Sequence, residues 1–139
     1  MVRKSQTKSR IKTSAFSLVV PVYNEEECLE HFLQEAKIAL NSFKDWEMIL
    51  VDDGSTDQSW SIISRHALKD KKVRGIRFTR NFGHQHAVLA GLRATQFSYI
   101  GIIDADPQAN STQMILPEEK WLEIYGPAAT KKSIINYQY

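Results

Sequence analysis

Residues 51–57 read V-D-D-G-S-T-D, an apolar run that stops on Asp52, Asp53, a glycine and three small polar residues. Met48 to Val51 is short, apolar and β-leaning, the pattern of a strand covered on both faces. Gly54 permits a sharp turn, and Ser55 or Asp57 can cap a helix that follows. Asp52 and Asp53 therefore end a strand, the position at which open parallel sheets bind ligands. A second acidic pair, Asp104 and Asp106, ends another apolar run. Either pair alone is equally well read as a strand-to-helix turn, because Asp, Gly and Ser favour turns for local reasons. Two such strand ends together imply one polar site.

Outward from this stretch the same alternation repeats. Phe16 to Val20 is a strand that Pro21 closes by removing a backbone donor. Asn24 and Glu27 have capping-box spacing, so a helix is expected from Glu25, with Leu29, Phe32, Leu33, Ala36, Leu40 and Phe43 on its inner face. Trp46 to Val51 is the second strand, and Trp60, Ile63, Ala67 and Leu68 form the inner face of the next helix. Val73 to Phe78 is a third strand and Thr79 to Gly83 a turn. His84 to Ala94 is a third helix with Val88 and Leu92 inward, and Tyr99 to Ile103 is a fourth strand. This order predicts an α/β fold, a mostly parallel sheet with helices on both faces, because parallel neighbours need crossover connections. The pattern breaks at Asp106 and Pro107, after which only Trp121 to Tyr125 forms a short apolar patch. The chain thus divides into a basic tail (1–14), an α/β domain (15–108) and an atypical C-terminal tail (109–139).

The 139 residues, 42% of them hydrophobic, suit one domain with one core. Arg3, Lys4, Lys8, Arg10 and Lys12 give the tail five of the 18 basic residues and no acid, leaving 13 against 16 acids in the rest. That tail suits a solvated arm or contact with an anionic membrane surface. The single cysteine, Cys28, excludes an internal disulfide framework and fits a reducing cytoplasm. No apolar run approaches the ~18 residues of a spanning helix. The expected location is cytoplasmic, with peripheral contact at the membrane face.

The sequence lacks G-x-G-x-x-G, G-x-x-x-x-G-K-[ST] and G-x-S-x-G, which excludes the common glycine-loop phosphate sites and the nucleophile elbow. His84 and His86 are two apart and diverge on a helix, so they cannot chelate one metal as an i, i+4 pair can. His31 and His66 are expected at the surface. In Asp104-Ala105-Asp106 two carboxylates flank one small residue, an arrangement that can hold a hard divalent cation shared with substrate phosphates. Diphosphate binding through a metal bridge follows, with Arg80 adding charge from the turn after the third strand.

Four stretches in this order, V-V-P-V-Y-N-E-E-E (19–27), V-D-D-G-S-T-D (51–57), R-N-F-G (80–83) and D-A-D (104–106), resemble the donor-site motifs of family 2 glycosyltransferases of the GT-A fold. Within that family they are similar to sugar transferases that act on polyprenyl phosphates of the dolichol or bactoprenol type. The resemblance implies a Rossmann-like nucleotide-binding half with sheet order 3-2-1-4. It implies that Pro21, Tyr23, Glu25, Asp53 and Arg80 bind the nucleotide of a nucleoside-diphosphate sugar, with Asp53 reading the base edge. Asp104 and Asp106 would act in catalysis by holding Mg²⁺ or Mn²⁺ with Gln108. The acceptor would be a lipid phosphate, the displacement inverting, and no nucleic-acid partner is expected.

After D-A-D the sequence departs from the family, continuing as Pro107-Gln108-Ala109-Asn110, and Pro107 restricts the backbone of Asp106. The resemblance therefore implies a chain truncated or frameshifted after Gln108, without an acceptor half. A complete transferase and a nucleotide-sugar-binding fragment without turnover are both open on the sequence. A phospho-acceptor switch of receiver type is a third reading, against which the first strand ends without its acid pair.

Overall fold

The structure is a computed structural model and describes residues 15–105. The basic tail, Asp106, Pro107, Gln108 and residues 109–139 lie outside the described residues. Seven elements alternate along the chain: β1 (Ala15–Val22), α1 (Glu26–Leu40), β2 (Asp45–Asp52), α2 (Ser59–Lys69), β3 (Val73–Arg77), α3 (His84–Ala94) and β4 (Tyr99–Ile102). The four strands form one parallel sheet in the order β3-β2-β1-β4. The predicted α/β class and strand order are both present.

Connection handedness explains the layers. Two right-handed crossovers carry the chain one way from β1 to β2 to β3, so α1 and α2 share a face. The third crossover steps back over β2 and β1 to β4, which sends α3 to the other face. Alternate side chains serve the two layers accordingly. Val20, Val22, Met48 and Leu50 pack with Leu29, Leu33 and Ile63 on the α1–α2 side. Val19 packs with Val88 and Leu92, and Ile49 and Val51 with Ala87, under α3. Gly91 lets α3 come this close, since a Cβ there would lie 2.3 Å from a methyl of Val19.

Three expectations need correction. β1 does not close at Pro21 but continues to Val22 against β2. The Ile103 N–H donates to the Val19 carbonyl (3.1 Å) and the Asp53 N–H to the Val22 carbonyl (2.9 Å). Successive residues of a parallel strand address alternate neighbours, so the missing N–H of Pro21 falls on the β4 side, beyond the last pair, Val19 with Ile102. Leu68 does not face inward; it is 89% exposed, and Ile62 packs against the core instead. His66 is no surface residue, because its ring, 13% exposed, lies 2.8 Å from Glu30 and 3.1 Å from Lys37 Nζ and joins α2 to α1.

One buried polar network at the far end of the sheet carried no sequence signal. Glu47 Oε1 accepts the Ser17 hydroxyl (2.7 Å) and the Gln96 N–H (2.7 Å), while Ser17 Oγ accepts the Phe97 N–H. Arg74 Nε lies 3.8 Å from the other Glu47 oxygen. These bonds fix the α3–β4 connection beneath β1 and β2.

The difference between Ile63, fully buried, and Leu68 sets a test of the layer assignment. Ile63→Ala is expected to cost about 2–4 kcal/mol in urea denaturation, and Leu68→Ala no more than ~0.5 kcal/mol.

Candidate functional site

A cleft of about 330 Å³ opens at the carboxyl edge of the sheet. Pro21, Tyr23 and Glu25 line it from the end of β1 and the connection to α1. Asp53 lines it from the end of β2 and Asp104 from just beyond β4. Asn81, Gly83, His84 and Ala87 close it from the β3–α3 turn and the start of α3. The site lies where the strand order reverses between β1 and β4, the topological switch point of an open parallel sheet. Five of the expected residues, Pro21, Tyr23, Glu25, Asp53 and Asp104, thus share one cleft.

The two carboxylates of the first acidic pair separate across the sheet. Asp52 is fully buried, accepts the Ser55 N–H through Oδ1 (3.2 Å) and has Oδ2 3.9 Å from Arg77 Nε. Strand alternation turns the next residue, Asp53, toward the cleft and the α3 side. Its Oδ1 accepts the Phe82 N–H (2.8 Å) and the Gly83 N–H (3.3 Å). Its Oδ2 accepts the Gly83 N–H (3.1 Å) and the Asn81 amide (3.3 Å). Asp53 therefore holds the turn that starts α3, whose own cap position, Gly83, contributes no side chain.

Gly54 makes this junction possible. It has φ +73°, and a Cβ would lie 2.3 Å from the Arg80 carbonyl carbon and 2.4 Å from the Asn81 nitrogen. Arg80 is not among the residues that line the cleft. With Asn81, Phe82 and Gly83 fixed on Asp53, the Arg80 guanidinium packs 4.1 Å from the Phe82 ring centroid instead.

The first turn of α1 is also built differently from expectation. Asn24 and Glu27 form no capping box; Glu25 is the cap residue and its side chain accepts no cap bond from the helix. Asn24, at φ +51°, accepts the Thr56 N–H through its side-chain oxygen (2.8 Å), and its own N–H donates to Ser55 Oγ (2.9 Å). The Glu25 N–H donates to Ser59 Oγ (2.9 Å) and the Glu26 N–H to Asp57 Oδ2 (3.1 Å). Glu26 accepts the Gln58 N–H in return (2.9 Å). Asp57 also accepts the Ser59 N–H (2.9 Å). Burial acts to raise the Asp57 carboxyl, but the bonds from Ser59 and Glu26 outweigh it and hold the group below its ordinary range.

Three carboxylates, Glu25, Asp53 and Asp104, line the cleft, and among the described residues its lining carries no Lys or Arg. His84 Nδ1 stands 3.6 Å from Asp104 Oδ1. The Cys28 thiol lies 3.2 Å from Glu25 Oε2 and 3.4 Å from the Ala105 carbonyl, joining α1 to the segment after β4. No group of three His, Cys, Asp or Glu side chains among the described residues has metal-holding geometry. Asp106 and Gln108, the other expected ligands, lie outside the described residues. Asn81 and Gly83 belong to the R-N-F-G motif that the sequence singled out, whereas His84 and Ala87 were not placed at the site; the available signal was that a helix beginning at His84 brings its first turn to the same edge as Asp53.

Residues 17–120 match the sequence model of the family described as Glycosyl transferase family 2. The chain belongs to this family. The family 2 domain is 42% identical over 111 residues to the uncharacterized glycosyltransferase YkcC of Bacillus subtilis, covering 79% of this chain and 34% of that protein. It is also 42% identical over 94 residues to an undecaprenyl-phosphate 4-deoxy-4-formamido-L-arabinose transferase of Shewanella sediminis, covering 66% of this chain and 28% of the relative. The chain thus spans about a third of the length of these curated relatives. In three dimensions it resembles the mannosyltransferase PcManGT from Pyrobaculum calidifontis, solved in complex with GDP-Man and Mn²⁺ (TM-score 0.57, 26% identity, 68% of this chain and 28% of that one). The parallel sheet and its flanking helices are those of GT-A glycosyltransferases. No helix among the described residues is long and apolar enough to cross a membrane.

Two measurements check this geometry. Gly54→Ala adds a strained φ and a backbone overlap, so it is expected to lower stability in urea denaturation by more than ~1 kcal/mol. Asp57, with its pKa depressed, stabilises the fold above its ordinary value of 3.8 and loses that contribution as pH falls through the lower folded value. The stability difference between wild type and Asp57→Asn should be flat from neutral pH to about pH 5 and shrink below it; a difference that grows toward low pH would reverse the sign.

Proposed function

We propose that this chain is the donor side of a glycosyltransferase that binds a nucleoside-diphosphate sugar in the cleft at the carboxyl edge of the sheet. The observation that carries the reading is the convergence of Pro21, Tyr23, Glu25, Asp53 and Asp104 on that one cleft. Tyr23, 47% exposed, offers a ring face to the base or ribose, and Pro21 and Glu25 bound the same part of the cleft. Asp53 acts from beneath. With both its oxygens engaged by Asn81, Phe82 and Gly83, it sets the floor, and reading the base edge uses the acceptor capacity that these bonds leave.

The lining fits a hard divalent cation, Mg²⁺ or Mn²⁺. Three carboxylates, with no Lys or Arg among the described lining residues, repel a diphosphate, and oxygen-rich sites of this kind suit such ions. Asp104, with Asp106 and Gln108, would hold the cation. When bound it neutralises the departing nucleoside diphosphate. Asn81 bonds Asp53 and helps to keep that carboxylate oriented while the donor enters.

The acceptor we propose is a polyprenyl phosphate, the acceptor class in the name of the Shewanella sediminis relative. A phosphate monoester with a second pKa near ~6 arrives largely ionised and needs little help from a general base for inverting displacement. The basic residues Arg3, Lys4, Lys8, Arg10 and Lys12 suit contact with the membrane that carries it. A second reading is donor binding without transfer, since the described residues that line the cleft are those of the donor side. In-line positioning of an acceptor is worth ~10⁵ M or more in effective molarity, and the described residues supply the donor side.

Calorimetric titration with UDP and GDP, with and without Mn²⁺, tests the reading. Binding is expected only with the cation, and Asp104→Asn is expected to abolish that cation-dependent binding; equal affinity in chelator would remove the metal bridge. Single-turnover and multiple-turnover assays with polyprenyl phosphate then separate transfer from donor binding.

A further inference from the structure

The Asn24-Glu26 and Ser55-Asp57 segments adjoin cleft-lining residues, yet of their own residues only Glu25 lines the cleft. Their polar groups face one another. The backbone N–H groups of Asn24, Glu25 and Glu26 donate in succession to the side chains of Ser55, Ser59 and Asp57. The N–H groups of Thr56 and Gln58 donate back to the side chains of Asn24 and Glu26. The Thr56 hydroxyl adds a bond to Asn24 Oδ1 (3.3 Å).

We propose that Asn24 is a positioning residue for the nucleotide, the centre of a latch between the β1–α1 and β2–α2 connections that holds Tyr23 and Glu25 in register with Asp53. The proposal rests on the reading of the cleft as the donor site. Asn24 lies between the cleft-lining Tyr23 and Glu25, and it adopts φ +51°, a left-handed conformation that residues with side chains rarely take. Asn visits this conformation more readily than other residues with a side chain, and here its amide oxygen accepts the Thr56 N–H, 32 residues away, at 2.8 Å. The same bond fixes the turn on one side of the cleft to the segment that follows Asp53 on the other. A ligand touching both segments then meets a pre-ordered site. Without the latch, ordering falls to the binding step and weakens affinity, while the reacting groups near Asp104 keep their places.

Three substitutions separate this role from backbone strain. Asn24→Asp keeps an oxygen acceptor for the Thr56 N–H. Asn24→Gly keeps the left-handed backbone accessible and deletes the acceptor. Asn24→Ala loses both, and the Gly variant carries the test if the Ala variant does not fold. Titration with UDP or GDP plus Mn²⁺ is expected to give wild-type affinity for Asn24→Asp within ~2-fold and a loss of about 3- to 10-fold for Asn24→Gly. Amide exchange at Thr56 in the ligand-free proteins should quicken in the Gly variant and not in the Asp variant. Asn24→Gly binding as tightly as wild type, or unchanged exchange at Thr56, overturns the latch while leaving the donor-site reading intact. A wild-type protein that binds neither nucleotide overturns the donor-site reading, and the positioning role with it.

Discussion

A parallel sheet whose strand order reverses once cannot cover the point of reversal. Right-handed crossovers oblige α1 and α2 to lie on one face and α3 on the other, so the connections leaving β1 and β4 part in opposite directions. Pro21 sharpens the opening, because its missing donor faces β4 where pairing ends and β1 runs on against β2 alone. The cleft between Tyr23, Asp53 and Asp104 follows from connectivity before any side chain acts in it.

Within that opening the polar groups divide into two kinds. Asp52, Asp57, Ser55 and Ser59 are spent on the chain's own N–H groups, which they hold in place of ordinary helix caps. Glu25, Asp53 and Asp104 face the cleft and give it a negative character that a diphosphate alone would not enter. Asp53 belongs to both kinds, since it lines the cleft and anchors the start of α3. Membership in glycosyl transferase family 2 is in keeping with this division of labour between scaffold and ligand side.

Local pattern made much of this readable. The third helix begins at His84 and ends at Ala94 as its periodicity predicts, and the apolar faces of α1 and α3 pack as expected. What escaped was set by residues far apart in sequence. Leu68 continues an apolar spacing, but α2 has turned it to solvent by its last turn. His66 and Glu30, 36 residues apart, meet because α1 and α2 share a face. Asn24 and Glu27 have capping-box spacing, yet Thr56, 32 residues away, takes the Asn24 side chain. Glu47 interrupts an apolar strand with no local hint that Ser17 and the Gln96 N–H will satisfy it. Arg80 sits in a readable motif, but only the backbone contact at Gly54 decides which of its neighbours turn inward.

The absence of a self-made cap on α1 also has a kinetic meaning. The N–H groups of Glu25 and Glu26, at the start of α1, find their acceptors in Ser59 and Asp57, more than 30 residues further along. A nascent chain that has delivered β1 and α1 therefore holds a frayed helix end until the β2–α2 connection arrives. Loop closure over such a distance is entropically costly and comes late, so contacts of this kind slow folding and make it cooperative. The two halves of the ligand edge are completed in a single event, and an intermediate with one half formed and the other open has little to stabilise it.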